Sequence, residues 1–387
     1  MGRRQNSSSV SVRRCRSSEV MTRLVIEQDA FMRMFWPILD PTAPREAFDA
    51  VADFFAHDEP DFAGWVDRVR ARIPALYPAD IVFADGEEAF RAALADADAC
   101  LIESLRVGEE ELAAAPKLAV VQKYGALTRN IDQAACAAHG VAVTTQRRRV
   151  NVALAEQAFA LMLALSKQVI EFNKVIDAPR LAAKGYPMRP YDRRHTGGSN
   201  FARIPNLRTM QGTTLGVLGF GEAGREIAAR ARAFEMRVVY HQRTRLGADE
   251  EAALGVEYAA LHEMLAQCDY LTVNLPVTAQ TTNILGAREF AAIKPGAILV
   301  NVARPELVER VALFEALDNG RLAGYGTDVW YERPARSDDP IFGYDNVIVL
   351  PHIAIASRQN ALRDTEDMFV KMSEALSRRH GKAPAHG

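Results

Sequence analysis

The chain has 387 residues, of which 49% are hydrophobic and 25% are charged, and its formal net charge is −2. This length predicts two domains or one large one, and the composition is that of an ordinary soluble globular protein. A charge so close to zero gives no reason to expect nucleic acid or an anionic membrane as a partner. The four cysteines form no CxxC pair and no metal-ligand cluster, so we expect reduced thiols, no metal site and a cytoplasmic location.

Residues 1–20 differ in composition from the rest of the chain. They hold five arginines and six serines but one acid, Glu19. This composition is similar to that of a transit peptide, although it lacks the apolar stretch of a secretory signal. We expect either a disordered tail or a start assigned upstream of the real one at Met21.

The part of the chain from residue 21 to about 150 alternates strand-like runs with an alanine-rich helical pattern, which is typical of a parallel sheet covered by helices. The predicted strands are 24–26, 81–83, 99–102 and 118–121. A long helical pattern then runs from residue 151 to about 176. Residues 178–211 are rich in Pro, Gly, Arg and Asn and predict an irregular connection.

From Thr214 onwards the alternation becomes regular, and it predicts an α/β fold with a doubly wound parallel sheet. The predicted strands are 215–218, 237–240, 270–274, 297–301, 323–327 and 347–350. The predicted helices are 224–234, 261–267, 287–292 and 306–319.

A glycine-rich loop joins the first of these strands to its helix. Gly219, Gly221 and Gly224 form a GxGxxG motif, with Glu222 and Ala223 between the last two glycines. Gly219 permits a tight turn, Gly221 lets a pyrophosphate approach the backbone, and Gly224 lets the helix pack on the strand. The free N–H groups at the start of the helix attract phosphate. The motif and its flanking elements predict a dinucleotide bound by residues 219–224.

The end of the second strand usually carries an acid that bonds the ribose hydroxyls of NAD. This chain has Gln242, Arg243, Thr244 and Arg245 at that place and no carboxylate. Arginines and a hydroxyl suit a 2′-phosphate, so we favour NADP over NAD. The alternative is that the arginines face solvent and that NAD is the cofactor.

Several motifs, in matching order from about residue 118 to 352 and beyond, resemble those of the D-isomer-specific 2-hydroxyacid dehydrogenase family. This family includes phosphoglycerate dehydrogenases, glyoxylate/hydroxypyruvate reductases and formate dehydrogenases. The matching segments are 124–125 with 130–132, 155–156, the glycine loop, 275–281, 301–304, 328–330 and 351–353.

The resemblance implies an architecture of two Rossmann-like lobes. A cofactor lobe, residues 151–351, is inserted in a flavodoxin-like substrate lobe, residues 21–150 with 352–387. The active site is expected in the cleft between the lobes, and the protein is expected to be a homodimer joined through the inserted lobes. The further cofactor contacts that the resemblance implies are Leu275, Pro276, Thr281, Ala303 and Asp328.

The chemistry of a 2-oxo acid defines two catalytic groups. Reduction needs a cation that holds the carboxylate and polarises the ketone, and an acid that protonates the developing alkoxide. Arg304 follows a predicted strand, at the carboxyl end of the sheet where open α/β folds bind ligands. The resemblance makes Arg304 the residue that holds the substrate and His352 the general acid/base. Histidine suits that role because its pKa lies near neutral pH.

Two departures from the family pattern lie close to these groups. Arg333 stands where the family usually has a glutamate that pairs with the histidine, and an arginine there would lower the histidine pKa. Glu332 replaces that acid if the loop is shifted by one residue. Pro305 replaces a glycine, and we expect the change to be tolerated because proline fits the first turn of a helix.

A third departure lies in the substrate loop, which we define as Gly125, Ala126 and Leu127. The resemblance implies that backbone N–H groups of this loop bind the substrate carboxylate. Leu127 stands where the family commonly has a second glycine, and Arg129 where it has an acid or a polar residue. Arg129 and the arginines at 147–149 favour a substrate with a second anionic group, unless they form a solvated basic patch.

The sequence therefore predicts an NAD(P)-dependent oxidoreductase that moves a hydride between nicotinamide and a 2-oxo or 2-hydroxy acid of D configuration. One alternative is a dinucleotide-binding regulatory or sensor protein of the same fold, with weak or no turnover. Arg333 and the altered substrate loop favour that alternative, whereas Arg304 and His352 oppose it. Another is a formate dehydrogenase, to which Trp330 points although the glutamine of that branch is absent. The identity of the 2-oxo acid and the favoured direction stay open.

Overall fold

The computed structural model describes residues 21–190, 192–355, 358–379 and 381. Its contacts divide the chain into two compact units. The first unit contains the described residues up to Tyr124, Thr128–Thr145 and the described residues from Glu366 on, and the second contains Gly125–Leu127 and Gln146–Thr365. The expectation for residues 1–20 lies outside the described residues, and the predicted roles of the two lobes stay predictions.

In the described part of the first unit, five parallel strands form a sheet in the order β2-β1-β3-β4-β5. This is the flavodoxin-like order, which reverses between β1 and β3. The strands are β1 Thr22–Glu27, β2 Ala79–Ala84, β3 Ala99–Ile102, β4 Val120–Lys123 and β5 Ala142–Thr144. The helices before the second unit are α1 Trp36–Leu39, α2 Arg45–Phe55, α3 Phe62–Arg72, α4 Gly86–Ala93, α5 Glu109–Ala113 and α6 Gln133–Ala138.

The second unit, as far as the structure describes it, holds seven parallel strands in the order β12-β11-β10-β9-β6-β7-β8. Counted from β6, this is the Rossmann order with one further strand at the β12 edge, and it reverses between β6 and β9. The strands are β6 Thr214–Leu218, β7 Arg237–His241, β8 Glu257–Tyr258, β9 Tyr270–Val273, β10 Ala297–Asn301, β11 Leu322–Thr327 and β12 Val347–Val349.

Helices cover both faces of this second sheet. Along β10, Leu299 packs into the apolar cluster on one face, whereas Ile298 and Val300 pack into the cluster on the other. The helices are α7 Arg149–Ser166, α8 Ala178–Ala183, α9 Glu222–Ala233, α10 Ala248–Leu254, α11 Leu261–Gln267, α12 Ala287–Ala292, α13 Arg310–Asp318 and α14 Arg358–Arg379, the last of which passes into the first unit. The predicted fold class, α/β with two Rossmann-like lobes of doubly wound parallel sheets, is confirmed.

Some predicted helix bounds were wrong. The helix predicted for 151–176 is α7, which ends at Ser166. Beyond it Gln168 has a φ of 51°, a conformation that does not continue an α-helix. The helix predicted for 306–319 is divided into a short 3₁₀ turn, Pro305–Leu307, and α13. The sequence patterns also missed α10 and the two-residue strand β8.

A buried carboxylate fixes the start of α7. Asp364, on α14, accepts a hydrogen bond from the backbone N–H of Arg149 at 2.7 Å and pairs with the guanidinium of Arg149 at 2.9 Å. Both residues belong to the second unit. The carboxylate thereby satisfies a free N–H group at the helix start and neutralises a charge. None of the helices in the described part of the chain combines the length and the apolar composition that a membrane-spanning helix requires.

Candidate active site

The glycine loop after β6 has the shape that its sequence predicts. Gly219 has a φ of 91°, and a Cβ there would lie 2.6 Å from the carbonyl oxygen of Asn274. A Cβ on Gly224 would overlap the carbonyl oxygen of Gly219. Both positions therefore require glycine. Gly221 differs, because among the described residues no atom other than those of its own chain neighbours lies within 4 Å of the place a Cβ would take, so the backbone there is open to a ligand.

The start of α9 offers hydrogen-bond donors next to this opening. Gly221 is the N-cap residue, and no side chain in the described part of the chain caps the helix. The first N–H groups of a 12-residue helix therefore point outwards with the positive end of the helix dipole. This donor set fits the pyrophosphate of a dinucleotide, with Gly219, Gly221 and Ala223 supplying backbone and no bulky side chain.

The end of β7 separates the two arginines that the sequence placed there. Arg245 donates to both oxygens of Glu251, at 2.9 and 2.8 Å, and Glu251 also accepts the hydroxyl of Tyr240 at 2.7 Å. Arg245 is thus committed to a buried acid. Arg243 is exposed, and among the described residues it has no hydrogen-bond or ion-pair partner. The structure therefore pairs Arg245 with an acid and leaves Arg243 without such a partner, and the cofactor contacts of both arginines stay predictions.

The remaining segment at the end of β7 is held by its own backbone. The side chain of Gln242 donates to the carbonyl oxygen of Thr244 at 2.7 Å, and this bond closes a short turn that contains Arg243. Thr244 is exposed. Arg243 and the Thr244 hydroxyl are therefore open to a ligand at this strand end.

The loop after β9 and the turn after β10 contain the other predicted cofactor residues. The Thr281 hydroxyl donates to the carbonyl oxygen of Pro276 at 2.6 Å, which closes the loop on itself. Leu275 packs against the backbone of Gly219. Ala303 donates its N–H to the side chain of Asn301 at 3.0 Å. These contacts shape the sheet edge, and the cofactor contacts of these residues stay predictions.

Arg304 is presented by a turn that the buried Asn301 holds. The Asn301 amide donates to the carbonyl oxygen of Arg304 at 2.8 Å and accepts from Ala303, so both ends of the turn are tied to the last residue of β10. Arg304 itself is extended, with φ −145° and ψ 143°, as proline at the next position favours. Pro305 begins the 3₁₀ turn, where its missing N–H costs nothing. The guanidinium of Arg304 is exposed.

His352 is positioned by the buried carboxylate of Asp328. The Asp328 oxygens accept the backbone N–H groups of Ile353 and Ala354, each at 2.7 Å, immediately after the histidine. Asp328 is fully buried at the end of β11, so the loop after β12 is anchored to the neighbouring strand. His352 has a φ of 61°, a conformation that this anchoring maintains.

The electrostatics around His352 are dominated by positive charge. Although the imidazole stays open to solvent, the loss of water on its covered side lowers its pKa below the ordinary value of 6.5. The positive charge of Arg333 lowers the pKa further, Asp328 opposes this by raising it, and Arg304 adds a smaller lowering. The structure therefore brings Arg304, Arg333 and Asp328 within electrostatic range of His352, and Arg333 acts in the direction expected from the sequence.

Glu332 is directed to a different partner. Its carboxylate lies 3.9 Å from a guanidinium nitrogen of Arg310, and it is not among the charges that shift the pKa of His352. Arg310 also pairs at 2.7 Å with the buried Asp339, which accepts the indole N–H of Trp330 at 2.8 Å. The structure does not bring Glu332 to His352, so the acid expected beside the histidine is not supplied by this residue.

The substrate loop carries a contact that the sequence did not reveal. The backbone N–H groups of Ala126 and Leu127 donate to one oxygen of Glu222, at 2.6 and 3.1 Å. The other oxygen accepts the side-chain amide of Asn151 at 2.9 Å. The sequence placed Glu222 among the cofactor residues, and its backbone does begin α9, but its carboxylate faces the loop. The signal in the sequence for this contact is the acid that directly follows the second glycine of the motif.

The arginines proposed for a second anionic group are mostly paired. Arg147 makes two contacts with Glu226, at 2.5 and 2.7 Å, and Arg149 pairs with Asp364. Arg129 belongs to the first unit, where it lines a surface pocket together with Arg106 and Asn130. Arg147 and Arg149 are thus paired with carboxylates inside the second unit, and the proposed role of Arg129 in substrate binding stays a prediction.

Comparisons with known proteins agree with this geometry. Residues 159–354 match the family model described as "D-isomer specific 2-hydroxyacid dehydrogenase, NAD binding domain". A glyoxylate reductase of Korarchaeum cryptofilum is 33% identical over 67% of this chain and 74% of its own, and one of Pyrococcus furiosus is 35% identical over 66% and 71%.

The solved structures extend the likeness to the fold of nearly the whole chain. The crystal structure of a glyoxylate reductase from Paecilomyes thermophila has a TM-score of 0.52 with 23% identity, and it covers 93% of this chain and 96% of its own. A Pyrococcus horikoshii protein, PH0520, has a TM-score of 0.54 with 21% identity, over 95% and 94%. The matching model, the identities and the order of the strands lead to one conclusion: the chain belongs to the D-isomer specific 2-hydroxyacid dehydrogenase family.

Proposed function

We propose that this chain reduces a small 2-oxo acid, with glyoxylate as the first candidate, and that NADPH is its preferred reductant. Family membership makes the chain an oxidoreductase that uses a nicotinamide cofactor and acts on 2-oxo or 2-hydroxy acids. The observation that supports reduction of a 2-oxo acid is the parallel register of β10, β11 and β12, which brings the segments with Arg304 and His352 to one end of the second sheet. The exposed Arg243 supports the choice of NADPH. The relatives named glyoxylate reductase support the choice of a small substrate.

The chain's own groups account for the chemistry of reduction. Arg304 holds the substrate carboxylate and polarises the ketone, with help from the N–H groups of the substrate loop. His352 donates a proton to the ketone oxygen as its negative charge develops. A nicotinamide held by the glycine loop would supply the hydride. Asp328 acts through the loop, as a positioning residue for His352.

The alternatives named from the sequence gain no support. Relatives named glyoxylate reductase give no indication of a regulatory protein without turnover. Trp330, which pointed to a formate dehydrogenase, is buried and donates to Asp339, a role in packing.

The proposed acid is tested by replacing His352 with glutamine. His352→Gln should lower kcat for glyoxylate reduction by about 10²- to 10⁴-fold, because a general acid contributes that much, while the affinity for NADPH stays the same. Turnover is followed by cofactor absorbance across glyoxylate, hydroxypyruvate and larger 2-oxo acids, and affinity by calorimetry. The matched control is His262→Gln, a surface histidine paired with Glu289. Unchanged turnover in His352→Gln would exclude the residue as the acid, and silence of the unmodified protein with both cofactors would exclude the function.

The pH dependence follows from the charges near His352. The acid must be protonated, so kcat/KM for reduction should fall as the pH rises through the histidine pKa, which lies below 6.5. Arg333→Gln removes a positive charge that lowers this pKa, so the falling limb should move to higher pH. Arg336→Gln changes an arginine of the same loop that is paired with Asp338, and it should leave the limb in place. A limb that does not move in Arg333→Gln would show that another group titrates.

The cofactor preference is expected to depend on Arg243. Arg243→Ala should raise KM for NADPH by about 10- to 100-fold, the value of a charge-assisted hydrogen bond to phosphate, and leave KM for NADH unchanged. Arg245→Ala should affect both cofactors equally, because Arg245 acts on Glu251 rather than on a ligand. Steady-state kinetics with both cofactors decide the matter. A wild-type protein that prefers NADH would contradict the NADP proposal outright.

We also propose a homodimer, in line with the family resemblance. The stretch after α7 exposes apolar side chains, among them Ile170 at 64% and Ile176 at 74%, and such a surface suits a second copy of the chain. Light scattering of the unmodified protein should give twice the chain mass of 42.7 kDa. The double variant Ile170→Asp with Ile176→Asp should give the mass of a single chain. Val311→Asp, at a valine 64% exposed on α13, is the control that should stay dimeric. A monomeric unmodified protein would refute the proposal.

A further inference from the structure

The carboxylate of Glu222 occupies the position on the substrate loop where the carboxylate of the 2-oxo acid is expected to bind. Glu222 accepts the N–H groups of Ala126 and Leu127 with a single oxygen, at 2.6 and 3.1 Å. Two converging backbone N–H groups form a small anion site. The proposed function assigns the same two groups to the carboxylate of the 2-oxo acid.

The loop is shaped around this carboxylate. Gly125 is buried with a φ of 150°, and a Cβ at this position would overlap the Glu222 oxygen that the loop holds. Glycine is therefore required for the loop and Glu222 to approach this closely. The side chain of Asn151 fixes the second oxygen at 2.9 Å. Both carboxylate oxygens of Glu222 are therefore hydrogen-bonded, and the loop can approach them because Gly125 has no side chain.

The loop cannot hold Glu222 and a substrate carboxylate together. Both are anionic, and both need the same two donors, so occupation by one excludes the other. Ala126 is exposed and Glu222 is half-buried, so an acid from solvent can reach the pair of N–H groups. Glu222 keeps the Asn151 amide as a partner when it gives up the loop.

We propose that Glu222 is an internal competitor of the substrate, a specificity-determining residue whose carboxylate must leave the Ala126 and Leu127 N–H groups before a 2-oxo acid binds. This inference rests on the proposed function. A carboxylate that contacts both Arg304 and the loop displaces Glu222 better than one that contacts the loop alone. The competition therefore selects for acids that make this second contact. Glu222 therefore raises KM and leaves the hydride-transfer step unchanged.

Two substitutions test the competition. Glu222→Gln removes the charge and weakens the hold on the loop, since charge-assisted bonds are about twice as strong as neutral ones. Glu222→Asp keeps the charge at the start of α9 but is one methylene too short to reach the loop. The matched control is Glu226→Gln, one turn further along α9, because Glu226 pairs with the side chains of Arg147 and Arg230.

Three measurements separate competition from a structural role. The first is the affinity for oxamate, a 2-oxo acid analogue without a reducible ketone, measured by calorimetry on cofactor-saturated protein. The second is KM and kcat for glyoxylate. The third is hydrogen exchange of the peptide containing residues 126–127 in protein without ligand.

Both variants should bind oxamate about tenfold more tightly, a change of the size expected for one charged hydrogen bond. KM for glyoxylate should fall by the same factor with kcat within twofold, and exchange at residues 126–127 should become faster. Glu226→Gln should match the unmodified protein in all three measurements.

Oxamate affinity that is unchanged or weaker in both variants would overturn the competition, and so would exchange that does not change. If glyoxylate is still reduced in that case, the proposed function stands without this inference. Silence of the unmodified protein towards all 2-oxo acids would refute the proposed function instead. Should Glu222→Gln fail to fold, Glu222→Asp decides the question alone, because it preserves the charge that favours the helix start.

Discussion

The candidate site depends on the parallel register of three neighbouring strands. Asn301 of β10 is aligned with Thr327 of β11, and Thr327 with Val349 of β12. Parallel strands end at the same edge, so the segments that follow them emerge side by side. Arg304, Asp328 and His352 each lie one to three residues beyond these aligned positions. A shift of one residue in any strand would turn its side chains to the other face and separate the groups.

Buried polar groups at this edge hold the segments that follow the aligned strands in one fixed geometry. Asn301 ties the turn that presents Arg304, and Asp328 ties the loop that presents His352. The Thr327 hydroxyl lies 2.9 and 2.7 Å from the carbonyl oxygens of Asn301 and Val329 and shares its one proton between them, which links the ends of β10 and β11. Every one of these polar groups is fully buried and satisfied, so the network holds one arrangement. The side chains of Arg304 and His352 stay exposed, as their proposed roles require.

The sequence was sufficient to predict those parts of the structure whose shape is determined by a local pattern of residues. The glycine loop, most strand bounds of the second sheet and the effect of Arg333 on His352 follow from spacing and residue type. It was insufficient where a partner distant in sequence decides. Arg245 was expected to contact a ligand, but the fold places Glu251 beside it. The helix α7 ends at Ser166, although the apolar periodicity of the sequence continues beyond that residue. The direction of the Glu222 carboxylate depends on a loop nearly 100 residues earlier in the chain, which no helix pattern specifies.

Asp328 and Glu222 each accept a pair of backbone N–H groups, and the difference in their burial gives the two contacts different consequences. Asp328 holds Ile353 and Ala354 from a fully buried position, where a free carboxylate cannot replace it and removal would leave unpaired groups. Glu222 holds Ala126 and Leu127 from a half-buried position beside an exposed residue. The first contact is therefore permanent and positions the proposed acid. The second is exchangeable, because an incoming carboxylate restores both hydrogen bonds that Glu222 gives up. Similar chemistry thus supplies a fixed support for His352 and a replaceable occupant for the substrate loop.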